Sequence, residues 1–128
     1  MSHTYGGAQE AVNNSGNFHN AGANIAFFSD VNNTGTWTAS GGTTFLSGTS
    51  LQNVTGTAEL ENYACRLNNS AGVKLDNQLK ITDSFIFFNG ILFSDRTDFF
   101  TEFVHFDDGA TYVGASNSSH IDGVVRKT

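Results

Sequence analysis

A short phrase made of Asn or Asp followed by Gly returns along this chain about once every 18 residues, an interval typical of stacked-repeat architectures. The phrases end in Asn14-Ser15-Gly16, Asn33-Thr34-Gly35, Asn53-Val54-Thr55-Gly56, Asn69-Ser70-Ala71-Gly72, Asn89-Gly90, Asp108-Gly109 and Asp122-Gly123. Gly, Asn and Asp accept the backbone angles of a tight corner. The 128 residues contain no Pro, so these residues must make the corners. Between them lie short runs rich in Val, Ile, Thr and Phe, the residues that suit a pleated surface. Corners at a steady interval, with strand formers between, predict a coil wound on itself: a β-solenoid. A plain β-sandwich is the architectural rival, since short strands with regular turns suit it too.

Composition narrows the function. The net charge is −6 and the sequence pI about 4.8. Nucleic-acid binding needs clustered Lys and Arg to displace counterions, and the six basic residues are scattered apart from Arg126-Lys127. No nucleic-acid partner is expected. No stretch approaches the ~20 apolar residues of a membrane span, so no membrane insertion is expected. No apolar leader opens the chain. A mildly acidic surface of Asn, Ser, Thr and Gly fits an extracellular or cell-surface protein. The single Cys65 has no disulfide partner within the chain and alternates with polar neighbours, which reads as a small buried apolar residue.

Residues 1–16 are polar and Gly-rich, with Tyr5 and Val12 as apolar anchors, and are expected to form a capping turn on a solenoid spanning 17–128. Strands are expected at Asn24–Phe28, around Trp37 and Ala39, at Thr43–Leu46 after a Gly41-Gly42 corner, at Ser50–Val54, around Tyr63–Leu67 and at Thr111–Val113. The clearest run is Val73, Leu75, Leu79, Ile81, Phe85 and Phe87, all odd-numbered, followed by Ile91 and Phe93. Period 2 marks a half-buried strand. Phe99, Phe103 and Phe106 also fit helical spacing, so a helical turn over 98–106 is the local alternative. Val124-Val125 opens a further strand near the last residue, from which we expect a piece of a longer protein.

Gly109-Ala110-Thr111, Gly114-Ala115-Ser116 and Ser119-His120-Ile121-Asp122-Gly123-Val124-Val125-Arg126-Lys127-Thr128 resemble a phrase that recurs in surface-exposed repeat proteins of Bacteroidota. There it commonly runs Gly-Ala-Ser, an aromatic, Val or Ile, Asp-Gly, then Val-Arg-Lys. Residues 33–45 and 67–75 are similar to the openings of such repeats. His120 stands where an aromatic is common and Val124 where Pro is common. The resemblance implies a large secreted adhesin, exported by type IX secretion, with right-handed parallel β-helix modules. It carries no shared catalytic motif.

The expected architecture is therefore an all-β, right-handed parallel β-helix of about six to seven coils of roughly 18 residues. The handedness comes from the resemblance alone. The expected function is that of a structural or adhesive element. Its partners would be surface glycans, or the chain itself if open end coils join head to tail into a filament. The rival from another class is a carbohydrate-binding or polysaccharide-degrading β-helix. It would draw on Asp95, Asp98 and Asp107, the ligand candidates of the acidic stretch that also holds Glu102 and Asp108, and on Trp37, Tyr63 and Tyr112 as a sugar platform. Asp107-Asp108-Gly109 equally suits a turn. His3, His19, His105 and His120 lack metal-ligand spacing, and no Ser elbow occurs. No catalytic residue, metal or cofactor is expected. Five Asn-x-Ser/Thr triplets, at Asn13, Asn32, Asn53, Asn68 and Asn117, follow from the Asn-rich composition.

Overall fold

A computed structural model describes the backbone of residues 5–8 and the whole of residues 10–128. The described residues form strands β1 (Tyr5–Ala8), β2 (Val12–Asn14), β3 (Asn17–Phe27), β4 (Val31–Asn33), β5 (Thr36–Leu46), β6 (Gln52–Gly56), β7 (Leu60–Asn68), β8 (Val73–Leu75), β9 (Gln78–Phe93), β10 (Phe103–Phe106), β11 (Thr111–Val113), β12 (Ser119–Asp122) and β13 (Val125–Lys127), and no helix. All pairings between these strands are parallel. Parallel neighbours cannot be joined by hairpins, which removes the sandwich and leaves a β-solenoid of about six turns.

Each coil has three walls. The first holds β2, β4, β6, β8, the end of β9 and β12. The second holds the opening halves of β3, β5, β7 and β9, then β10 and β13. The third holds β1, the closing halves of β3, β5 and β7, the middle of β9, and β11. The long strands run through a corner and continue on the next wall, with register shifts at Ala21 and after Asn62.

Stacked register puts like residues above one another. Ile25, Thr44, Cys65, Phe85 and Tyr112 form one inward column. Val31, Val54 and Leu75 form a second, and Leu79, Val104 and Val125 a third. The interior they fill includes Phe85, Leu67, Leu75, Ile81 and Leu92, all fully buried. Aromatic rings cluster in the later coils: Phe85 lies 4.5 Å from Phe87 of the same strand and 6.3 Å from Phe106 of the neighbouring wall, centroid to centroid. A second aromatic group, Phe18, Trp37 and Phe27, fills the early coils, with Phe18 and Trp37 at 4.2 Å.

Several expectations are corrected. The coil is longer than 18 residues: Val12 to Val31 spans 19, Val31 to Val54 spans 23, and Leu92 to Ile121 spans 29. The Asx-Gly phrases sit at all three kinds of corner, so reading them as one series shortened the period. Asn53 is not a corner residue; it lies within β6 opposite Lys74. Ile91 and Phe93 do not continue the odd-numbered interior. Phe88 and Asn89 turn the corner, the parity flips, and Leu92 points inward instead. No helical turn forms over 98–106; Phe99 and Phe100 lie in an exposed loop and β10 follows. Within the expected capping turn, β1 stacks on β3 and β2 on β4. Residues 1–4 and 9, among them His3, and the side chain of Tyr5 lie outside the described residues.

The parity can be tested directly. Phe85→Ala should cost about 3–5 kcal/mol by urea unfolding, as for a buried aromatic. Phe88→Ala, 61% exposed with the Arg66 guanidinium 4.5 Å above its ring, should cost no more than about 1 kcal/mol. Equal costs would contradict the assignment of inside and outside.

Candidate functional site

The chemistry-bearing side chains that the fold brings together are amides, and they face inward. Asn33, Asn62, Asn69, Asn77 and Gln52 are buried. A buried amide left unpaired costs about 1–3 kcal/mol, so each needs partners. The partners come largely from neighbouring coils. Asn69 Nδ2 donates to Ser50 O at 2.8 Å and to Gln52 Oε1 at 2.9 Å, while its Oδ1 accepts from Ala71 N. Gln52 Nε2 reaches Phe27 O at 2.8 Å and Ser29 O at 2.9 Å, and its Oε1 accepts from Gly48 N. Gln52 thus ties together three successive corners between the third and first walls, at Phe27–Ser29, Gly48 and Asn69. Asn77 Nδ2 donates to Thr55 O and Ala58 O, and Asn33 Nδ2 donates to Ala58 O and Glu59 O. Thr44 Oγ1 donates to Asn62 Oδ1 at 2.8 Å.

The predicted corner residues divide by position. Asn14, Gly16, Asn33, Gly35, Gly56, Asp122 and Gly123 lie where the first wall meets the second. Asn69, Gly72, Asn89 and Gly90 lie where the third returns to the first, and Asp108 and Gly109 where the second meets the third. No described residue other than Gly has positive φ, so Asn and Asp serve through their side chains. Asn14 Nδ2 donates to Asn33 Oδ1 and to Thr36 O, both at 2.9 Å, and its own Oδ1 accepts from Gly16 N. Gly56 occupies the ladder position of Asn33 at φ 121°, and a Cβ there would be driven into the carbonyl of Asn33.

The acidic candidates do not converge on a ligand site. Asp95 and Asp98 share the 94–102 loop, and both carboxylates are occupied locally. Asp95 Oδ1 accepts from Thr97 Oγ1 and Thr97 N; Asp98 accepts from Thr101 Oγ1, Thr101 N and Phe100 N. The side-chain hydrogen bond from Thr97, then its backbone N–H, holds the Asp95 carboxyl below the usual range, and Thr101 does the same for Asp98. Asp107 sits at a different corner, where its backbone N–H donates to Ile81 O at 2.9 Å. Among the described residues no three His, Cys, Asp or Glu side chains are placed to hold a metal ion. Trp37 is a core residue, so of the expected platform only Tyr63 and Tyr112 reach the surface. His19 pairs with Thr38 and Ser40, His105 with Thr128, and His120 with Ser116 O. Cys65 is fully buried, and burial pushes its thiol up to about 12.

Outside, the early coils present uncharged ladders. Asn32 Nδ2 donates to Asn13 Oδ1, and Thr55 Oγ1 to Asn32 Oδ1, both at 2.9 Å; Thr36 Oγ1 donates to Asn17 Oδ1 on the next wall. At the other end of the stack a hollow of about 190 Å³ opens between Phe87, Phe106, Tyr112, Ile121 and Val125. The sequence reading missed Gln52, Asn62 and Asn77. A signal existed for two of them: Gln52 shares parity with inward Val54, and Asn62 with inward Leu60. No helix among the described residues is long and apolar enough to cross a membrane.

Asn69→Ala strips partners from Ser50 O, Gln52 Oε1 and Ala71 N and should cost about 2–4 kcal/mol in denaturant unfolding; a change below 0.5 kcal/mol would deny the network its role. The Cys65 thiol should resist alkylation in the native state and react once unfolded. Its folded pKa is raised, so its contribution to stability is complete below the thiol's ordinary value of 9.0 and is lost as pH rises towards about 12. The expected slope is about 1.4 kcal/mol per pH unit in that window, absent in Cys65→Ala.

Comparison with protein-family models, curated proteins and solved structures returned no match.

Proposed function

We propose that this chain is a structural β-solenoid module, a rigid spacer and adhesive element of an extracellular bacterial surface protein. The observation that carries this reading is the inward amide network. Side chains able to bind a ligand are turned into the stack and spent on backbone carbonyls of adjacent coils. Such cross-coil bonds raise the cost of opening one coil alone, because every freed amide and carbonyl would be buried without a partner. A stack tied in this way keeps its length under load. The acidic, Asn/Thr-rich composition and the resemblance of the closing phrase to secreted repeat proteins support the surface location.

The outer ladders favour the adhesive part. Asn13, Asn32 and Thr55 on one wall and Asn17, Thr36 and Thr38 on the next set amides and hydroxyls at the coil spacing of about 4.8 Å. Between Glu10 and Glu59 the only charge is Asp30, which accepts from Asn53. A flat, uncharged array of donors and acceptors suits a hydroxyl-rich polymer, so surface glycans are the partner this reading assigns. It assigns no catalytic step.

Pulling on both termini in an optical trap should give little extension until one or two cooperative events release the whole chain; gradual coil-by-coil extension at low force would contradict the spacer reading. Insoluble polysaccharide should retain the protein, and Asn32→Ala combined with Thr38→Ala should release it with the circular dichroism of the fold retained. Unchanged retention in that variant would remove the adhesive face.

A further inference from the structure

The outer face of the third wall carries a single charge. Its described strand segments are 24–27, 43–46, 64–68, 84–87 and 111–113, and among them only Arg66 is charged. Cys65 and Leu67 are buried in the core, so Arg66 between them points outward. In register it stands between Phe45 of one coil and Ile86 of the next. The outward column beside it holds Thr43, Ala64 and Ser84. These residues lie on β5, β7 and β9, each with a neighbour on both sides along this wall, so the face is lateral and owes its exposure to no chain end.

No described residue neutralises that cation. The ion pairs among the described residues are Lys74–Asp76, Lys80–Glu61 and Arg96–Asp122, and Arg66 has no part in them. Its Nε is buried and donates to no described atom. A guanidinium carries five N–H donors and keeps its charge throughout the working pH range. An orphaned buried donor is costly, and Phe45 and Ile86 show that an apolar side chain fits this column. What the fold does supply is a seat. The guanidinium carbon lies 4.5 Å from the centroid of the Phe88 ring, which is itself 61% exposed. That stack holds the charge by the face of the ring and leaves the N–H groups unspent. A position that breaks its local pattern without an internal gain is where a site is to be sought.

We infer that Arg66 and Phe88 form an anion subsite on the third wall, and that its ligand is the carboxylate of a uronate-containing glycan. The terminal N–H groups of Arg66 take the carboxylate in charge-assisted hydrogen bonds. The apolar side of the sugar ring rests on Phe88 and Ile86. The Thr43 and Ser84 hydroxyls stand about 7 Å away along the strands, where the adjoining sugar of the chain lies. An acidic peptide offers the same carboxylate but makes no use of that hydroxyl column, which is why the sugar is assigned. No carboxylate on this wall competes for the guanidinium. The net charge of −6 repels a polyanion elsewhere, so binding depends on this one cation and weakens with salt.

The inference keeps the glycan partner of the adhesive reading but places it on another wall, so the two fail separately: Asn32→Ala with Thr38→Ala should leave uronate binding unchanged. The test is titration of the 128-residue chain with three probes: a hyaluronan oligosaccharide, its carboxyl methyl ester, and a glutamate peptide of equal charge. Calorimetry gives the affinity, and the Arg66 Nε–H signal in NMR reports the site. The free acid should bind and move that signal; the ester and the peptide should bind about tenfold more weakly or worse. Arg66→Gln should lower affinity for the acid by about tenfold or more with unchanged circular dichroism. Arg66→Lys, which keeps the charge and loses the planar fork, should fall between. Equal affinity of the parent chain for acid and ester would overturn the inference whether or not the variants fold. Absence of binding, or unchanged affinity in Arg66→Gln, would overturn it too, and a peptide bound as tightly as the sugar would overturn the glycan assignment.

Discussion

A single coil of this chain cannot bury its apolar side. It exposes Val, Leu and Phe on one edge and unpaired backbone groups along the strand, and the next coil must satisfy both at once. Parallel stacking in register does so. The column Thr44, Cys65 and Phe85 closes over itself while the backbones around it exchange hydrogen bonds. Each coil is then both ligand and receptor for its neighbours, and stability accrues along one axis. The amides at the corners and inside the walls add direction to this. Asn69 and Gln52 fix how far each coil is rotated against the next, because their acceptors are carbonyls at defined positions.

The solenoid was legible in the sequence because its two signals are local. Corner chemistry at Asn14, Asn33 and Asn69, and alternation from Val73 to Phe87, need no knowledge of distant contacts. The coil length was not legible. Three walls have three corners, all drawing on Asn, Asp and Gly, and nothing local tells Asn33-Thr34-Gly35 of one corner from Asn89-Gly90 of another. The parity change at Phe88 and Asn89 was hidden for a similar reason: a run of alternating apolar residues reads the same whether or not it turns. Asn53 was misplaced because its Asn-Val-Thr-Gly phrase imitates a corner, while the true corner position belongs to Gly56. The interior amides were legible only through parity, Gln52 with Val54 and Asn62 with Leu60, and nothing local marked Asn77. Asn62 and Gln52 look solvated in sequence; the carbonyls of Phe27 and Ser29 satisfy Gln52, and the Thr44 hydroxyl with the Leu60 carbonyl of its own strand satisfies Asn62.

The acidic stretch shows how composition and geometry part company. Asp95, Asp98 and Glu102 form the densest run of charge, the natural place to seek calcium or a sugar-active pair. The fold turns Asp95 and Asp98 onto the hydroxyls and N–H groups of their own loop, and Asp107 serves a corner elsewhere. These aspartates shape a long excursion between β9 and β10, the main reason the coil from Leu92 to Ile121 is the longest. The exposed surface of the described residues includes polar ladders on the early coils and the aromatic pair Phe99 and Phe100 of the acidic loop.

The central claim is that each coil lies parallel and in register on the one before it. Couplings transmitted through hydrogen bonds, measured by NMR on isotope-labelled protein, report the carbonyl to which a given N–H is bonded. The account predicts couplings from Ser47 N–H to the Phe27 carbonyl, from Asp76 N–H to Val54, and from Asp107 N–H to Ile81, each bridging adjacent coils at 3.0 Å or less. Couplings that instead joined these amides to hairpin neighbours close in sequence would contradict it.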